Sequence, residues 1–229
     1  MIVSDNTIHT EATDPMLLGP DAANELLAGA PWRRFAAVGD SLALGVGDPS
    51  PGYRDIGWSD RLAEILTGVR PDLEYLNTGK IGATVDQVLE HQLHPVLDFR
   101  PDLVHISCGG NDLFQPGGLD RLPKRLDRLF EAVASTGALI FAFTIADVWN
   151  TERMAAMRRM REPMAALNAI VRELATRYDA LLVEFWDHPL RLRPEIMSAD
   201  LIHFTTGGHA VVTSEVVRAL STHVPVVSD

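Results

Sequence analysis

Arg34-Phe35-Ala36-Ala37-Val38-Gly39-Asp40-Ser41-Leu42 runs apolar for a few residues and then breaks into Gly-Asp-Ser-Leu. A short apolar run closed by a turn signal reads as a buried strand, with Gly39-Asp40-Ser41 as the tight turn that ends it. A serine in that turn stands beyond a strand end with its hydroxyl free. That position suits a nucleophile, but on this stretch alone a helix N-cap is the favoured reading, a role serine often fills. The choice depends on what the rest of the chain brings to the same place.

The alternation begun there repeats. Strand-like runs follow at Leu73–Leu76, Leu103–Ser107, Ala138–Thr144 and Leu181–Phe185, after the first at 34–38. Between them, residues 42–57 are rich in Gly and Pro and predict a loop, while 58–67 carry Leu62, Ile65 and Leu66 on one helical face. Residues 84–94 align Val85, Val88, Leu89 and Leu93 as a helix that Pro95 should end or kink. Leu119, Leu122, Leu126, Leu129 and Val133 recur at helical spacing. Residues 152–178 continue as a helical pattern interrupted at Pro163, which predicts two helices or one kinked helix, and 206–221 close the chain as a helix with Ala210, Val211, Val217 and Leu220 inward. Strands alternating with helices imply parallel strands covered on both faces. The expectation is one three-layer α/β/α domain over residues 31–229. An arm over 1–30 precedes it, with Pro15–Gly29 as a short amphipathic helix.

Bulk properties bound the function. A chain of 229 residues with 46% hydrophobic and 22% charged residues is an ordinary globular sequence with ample core. The net charge of −11 argues against nucleic acid and against stable association with an anionic membrane. The single cysteine, Cys108, excludes an internal disulfide and a cysteine metal cluster, and its apolar surroundings read as a small buried hydrophobe. The N-terminus lacks the basic start and apolar run of a secretory signal, and no stretch approaches a membrane span. A cytoplasmic address is the expectation.

In an open parallel sheet, ligands bind beyond the carboxyl ends of the strands. The segments that follow the strands are Gly39-Asp40-Ser41-Leu42, Asn77-Thr78-Gly79-Lys80-Ile81-Gly82, Gly109-Gly110-Asn111-Asp112 and, before the last helix, Asp200-Leu201-Ile202-His203. Together they hold what acyl transfer needs. Ser41 is a nucleophile once a base takes its proton, His203 can be that base, and Asp200 can hold the imidazole tautomer. The backbone N–H groups of Ser41 and Gly82 and the side-chain amide of Asn111 can meet an oxyanion. Glycine suits position 82 because no Cβ blocks close approach.

This set of blocks, over about residues 34–220, resembles the SGNH hydrolases, the GDSL esterase and lipase family. The resemblance implies a flavodoxin-like five-stranded parallel sheet in the order 2-1-3-4-5, and neither metal nor organic cofactor. It matches Ser41 to the nucleophile, Gly82 rather than Gly79 and Asn111 to the oxyanion donors, and Asp200 and His203 to the remaining pair. The implied activity is hydrolysis of a small-molecule carboxylic ester or thioester through a covalent acyl-enzyme. An acyltransferase with the same three residues, and an inactive scaffold used for binding, are the alternatives.

Rival readings are weighed by position. Asp102-Leu103-Val104-His105 repeats the Asp-x-x-His spacing but runs into a strand, where residues i and i+3 face opposite ways. His209 lies inside the last helix and is the competing base. His188 beside Asp187 is a weaker rival. His91 and His94 have the spacing of a metal pair but no third ligand nearby. Gly45-x-Gly47 lacks the later glycine of a dinucleotide loop, since position 50 is Ser, and position 43 is Ala where a Gly-x-Ser-x-Gly elbow needs Gly. Met154, Met157, Met160 and Met164 form a stripe that reads either as core or as a pliable wall for an acyl chain. Trp58 and Trp149 are candidates for the cleft or the core, and the loops at 43–57, 113–118, 145–152 and 186–199 should shape the pocket.

Overall fold

The five apolar runs become the strands of one parallel sheet: β1 Arg34–Gly39, β2 Glu74–Asn77, β3 Leu103–Ser107, β4 Leu139–Phe143 and β5 Leu181–Val183. They lie in the order β2-β1-β3-β4-β5. The computed structural model describes residues 9–225; the first part of the N-terminal arm and residues 226–229 lie outside the described residues. β1 and β3, flanked on both sides, are buried nearly throughout, as continuous apolar strands require. Register places Ala37 beside His105, and His105 beside Phe141.

The helices are α1 Pro20–Leu26, α2 Ser41–Leu44, α3 Trp58–Val69, α4 Val85–His91, α5 Leu93–Phe99, α6 Gly118–Ala134, α7 Arg161–Arg177 and α8 Thr206–Ser221. α1, α3 and α8 pack together as one layer, and α4 to α7 form the other. The result is the three-layer α/β/α arrangement. α6 buries Leu122, Leu126, Leu129, Phe130 and Val133 but leaves Leu119 at the surface.

Three expectations need correction. Residues 42–57 are not all loop, because Ser41–Leu44 form a helical turn. Pro95 neither ends nor kinks a helix at its own position: the break comes earlier, at Gln92, and Pro95 lies in the first turn of α5. The expectation of two helical segments over 152–178 holds, as the 3-10 helix Glu152–Met160 followed by α7, with Pro163 in the first turn of α7. The cause is common to both prolines. A proline lacks its N–H and its ring clashes with the carbonyl four residues back, so the disturbance falls upstream. β5 also stops short of Phe185. The N–H groups of Phe185 and Trp186 go instead to the Thr144 hydroxyl, at 2.8 and 3.2 Å.

Residues 9–18 cross the outer side of α8. The Leu18 N–H donates to Ser214 Oγ, Arg218 reaches the Met16 carbonyl, and the buried Asp14 carboxylate accepts from Arg193 at 2.6 Å and Tyr53 at 2.7 Å. This segment covers α8 at Ser214 and Arg218, while Val46, Ser50, Trp58 and Phe204 pack against its first two turns, so α8 is buried almost all round there.

Candidate active site

The turn after β1 is built by close approach. Gly39 has φ +145°, and a Cβ there would lie 1.8 Å from the Ser107 carbonyl oxygen. Gln92, at the break between α4 and α5, accepts from the Gly39 N–H at 2.9 Å and donates to the Gly39 carbonyl at 2.8 Å. The chain then enters α2. The cap of that turn is Asp40, whose Oδ1 accepts from the Leu42 N–H at 2.9 Å. Ser41 is therefore the first helical residue and its hydroxyl is not used for capping. Gly45, at φ +81°, ends α2 against the backbone of Gly57. Gly47 has the Phe204 carbonyl and the His209 ring where a Cβ would be. The Gly-x-Gly spacing thus has a packing cause.

Asp200, His203 and Ser41 form a hydrogen-bonded chain. His203 Nε2 lies 2.7 Å from Ser41 Oγ, and His203 Nδ1 lies 2.6 Å from Asp200 Oδ2. Asp200 Oδ1 also accepts the N–H groups of Ile202 and His203, at 2.9 and 3.1 Å. The backbone folds back over the carboxylate because Leu201 adopts φ +61°, a left-handed value uncommon for a branched side chain. Desolvation alone would raise the Asp200 carboxyl; the two N–H groups and the imidazole outweigh it and hold it below its ordinary range. The loop is tied down by residues that pattern reading does not single out. Ser198 N–H donates to the His203 carbonyl at 2.8 Å, Asp48 accepts from Ala199 N–H at 2.7 Å, and Arg153 donates to the carbonyls of Met197 and Ser198.

The expected oxyanion donors stand as follows. Among the described residues no acceptor takes the N–H of Ser41 or of Gly82, and Gly82 has φ +76°. The Gly79 N–H is occupied by Asn77 Oδ1 at 2.8 Å, and a Cβ on Gly79 would meet the Leu44 backbone nitrogen at 2.5 Å. Gly79 is thus a packing glycine. Asn111 Nδ2 donates to the Ala83 carbonyl at 3.1 Å, and its second proton faces Asp40 Oδ2 at a long 3.4 Å. That weaker contact leaves one amide proton able to turn to a ligand. Asn111 and Ser41 line one pocket; Gly82 does not line it.

Beneath the serine lie two further acids. Burial pushes the Asp40 carboxyl up to about 7, against the Leu42 N–H and the nearby His203; the Asp112 carboxylate raises it further. Burial also raises Asp112, which accepts the Val85 N–H at 3.0 Å at the start of α4. The Cys108 thiol, buried beside both acids, is raised well above its ordinary value and stays a neutral side chain.

The rival histidines are placed elsewhere. His105 is fully buried on β3, with its ring centroid 4.2 Å from Phe143 and 4.5 Å from Trp58, and burial lowers it to about 3. Asp102 accepts instead from the N–H groups of Arg33 and Arg34. His209 is lowered by burial to about 4, and its Nε2 donates to the Val46 carbonyl at 3.0 Å. His188 caps a 3-10 turn, Pro189–Leu192. His91 and His94 are exposed beside Glu90 and Asp98, and no group of three or more metal-ligating side chains occurs among the described residues. Trp58 belongs to the core, donating to the Leu42 carbonyl at 2.7 Å.

The pocket beside Ser41 has about 110 Å³ of interior space, several times what one ordered water needs. Asp40, Ser41, Asn111, Thr144 and His203 stand in its wall, which is otherwise almost wholly apolar, with Phe143, Ile145, Trp149, Met157 and Phe185 among the lining side chains.

A family profile described as the GDSL-like lipase/acylhydrolase family matches residues 37–211. The chain belongs to this family. Membership makes it a hydrolase of ester bonds. No curated protein sequence matches it significantly. Solved structures share the fold at low identity. LAE5, an alpha/beta hydrolase enzyme from the metagenome of Lake Arreo, Spain, is 22% identical with a TM-score of 0.67, covering 87% of this chain and 99% of its own. The lipase/acylhydrolase from Enterococcus faecalis is 19% identical at a TM-score of 0.66, covering 86% and 100%. Axe2, an acetylxylan esterase from Geobacillus stearothermophilus, is 22% identical at 0.66, covering 84% and 95%. The family's GDSL block falls on Gly39–Leu42 of this chain, at the end of β1. No helix among the described residues is long and apolar enough to cross a membrane.

Proposed function

We propose that this chain is a serine esterase that hydrolyses a small-molecule carboxylic ester or thioester through an acyl-enzyme on Ser41. The observation that carries the reading is the unbroken chain from Asp200 through His203 to Ser41 Oγ, opening on a pocket that Asn111 also lines. His203 Nε2 takes the serine proton as Oγ bonds to the substrate carbonyl carbon. The carbonyl electrons move to oxygen, where the N–H groups of Ser41 and Gly82 and the Asn111 amide are the donors. The tetrahedral intermediate collapses, the bond to the alcohol or thiol breaks, and that leaving group takes the proton from His203. Water then repeats the sequence: it gives a proton to His203, bonds to the acyl carbon, and Ser41 leaves with its proton restored. Asp200, held ionised by its three hydrogen bonds, fixes Nδ1 as the protonated nitrogen, so that Nε2 can act as base.

The test is hydrolysis of p-nitrophenyl esters by wild type, Ser41→Ala and His203→Ala. Both variants should lose at least about 10³-fold in kcat. A Ser41→Ala enzyme that keeps wild-type turnover contradicts the proposal.

A further inference from the structure

The pocket wall beyond the reacting groups includes a nine-residue 3-10 helix, Glu152–Met160. Such helices rarely run past three or four residues, and their geometry puts residues i and i+3 in line. Met154, Met157 and Met160 have that spacing, and exposure follows it. Met154 and Met160 are buried, Met157 is half-buried, and Ala155, Ala156, Arg158 and Arg159 face solvent. The stripe thus divides in two. Met154 and Met160 belong to the core, while Met157, with Met164 of α7, lines the pocket.

The same pocket has no polar recognition group outside the reacting end. The Thr144 hydroxyl is occupied by the N–H groups of Phe185 and Trp186. Phe114 and Ile202, each more than half exposed, flank it as an apolar rim. A sugar or other polyol would lose its hydration there without gaining partners. The acyl group is the part that fits. It stays bound to Ser41 from acylation until deacylation, whereas the alcohol must leave and water must enter beside His203, near Asp200, whose side chain is 45% exposed. The apolar pocket suits the retained group, and the exposed side near Asp200 suits the exchanged ones.

We propose that this pocket binds an extended apolar acyl chain, so that the substrates are esters or thioesters of medium-chain carboxylic acids, and that Met157 sets the chain length accepted. Methionine fits this role because its unbranched side chain repacks around chains of different length. The inference rests on the serine-esterase reading and specifies its substrate class.

The test varies one side of the ester at a time. With p-nitrophenol fixed as the leaving group, kcat/KM should rise from acetate toward octanoate by up to about fourfold for each methylene buried, until the pocket is full. With acetate fixed and the alcohol lengthened from ethyl to octyl, no comparable rise should occur. Met157→Phe should lower the octanoate-to-acetate ratio of kcat/KM at least tenfold, and Met157→Ala should move the optimum to a longer chain. Because each ratio is taken within one variant, partial loss of folded protein cancels. Ser41 labelling by p-nitrophenyl octylphosphonate against the ethylphosphonate gives the same comparison without turnover, and the octyl reagent should react faster. Ser41-dependent hydrolysis that is fastest on acetate, or that follows the alcohol, or a Met157→Phe ratio equal to wild type, overturns this inference and leaves the esterase reading standing. No hydrolysis and no labelling of Ser41 overturns both.

Discussion

Asp40 is the residue on which structure and chemistry pull hardest. It caps α2 through Oδ1, faces the Asn111 amide through Oδ2, and is buried with Asp112 close by. Its carboxyl is raised to about 7 from an ordinary 3.8. Between those two values the folded chain holds a proton that the unfolded chain has released. Stability therefore falls as pH rises through the window, and the contribution is whole only below the lower value. Asp40→Asn, which mimics the protonated acid, should be spared that loss. In urea melts from pH 4 to pH 8, the wild type should lose up to roughly 4 kcal/mol more than the variant; parallel profiles would contradict the buried-acid account. The sequence makes Ser41, Asp200 and His203 readable as a group because each sits in a short recognisable block, Ser41 at the end of β1 and the other two in the loop before α8. Nothing local marks Gln92, Asp48, Ser198 or Arg153. Their partners are mainly backbone groups and side chains from distant parts of the chain, which only folding brings into reach.

At the scale of elements, the apolar runs located all five strands; the reason is plainest for β1, β3 and β4, since a strand buried on both faces has to be apolar throughout, while the edge strands β2 and β5 are only partly buried. The helix breaks were misplaced by a few residues because proline disturbs the turn before it rather than its own position. The length of β5 was misread because a threonine side chain on the neighbouring strand substitutes for the ladder. Gln92 shows what the displaced break does. By interrupting α4 and α5 there, the chain frees a side-chain amide to hold both backbone groups of Gly39, two residues before Ser41. Gln92→Leu would leave the buried Gly39 N–H without a partner, at about 1–3 kcal/mol, and its carbonyl with only the Lys80 N–H at 3.2 Å. The expected result is a drop of about 2–4 kcal/mol in unfolding free energy, with kcat reduced more than KM is raised, measured by denaturant melts and steady-state kinetics. A variant with wild-type stability and kcat would show that Gln92 does not position the turn.

Across the whole molecule, residues 9–18 tie α8 to the loop around Tyr53 and to the 3-10 turns near Arg193. The amphipathic pattern of Pro15–Gly29 predicted a helix, which forms over the shorter span Pro20–Leu26, but the polar ties of Asp14 carry no periodic signal. Asp14 is buried against Arg193, so removing its carboxylate leaves a mostly buried guanidinium with only the exposed Glu195 as its ion partner. Asp14→Ala should destabilise the chain by roughly 3 kcal/mol in thermal and urea unfolding, with kcat at 25 °C unchanged. Desolvation opposes ionisation of Asp14, but the hydrogen bonds from Arg193, Met16 N–H and Tyr53 outweigh it and hold the carboxyl below its ordinary value. The wild-type advantage should thus be present near neutral pH and fade as pH falls below the carboxylate range. These ties hold the frame; the proposed chemistry hangs on the Ser41 hydroxyl. The most direct measurement is intact-mass and peptide mass spectrometry after exposure to an activated p-nitrophenyl phosphonate. The account predicts one adduct per chain, on the peptide bearing Ser41, and none on Ser41→Ala. An adduct on another residue, or none on folded protein, would contradict it.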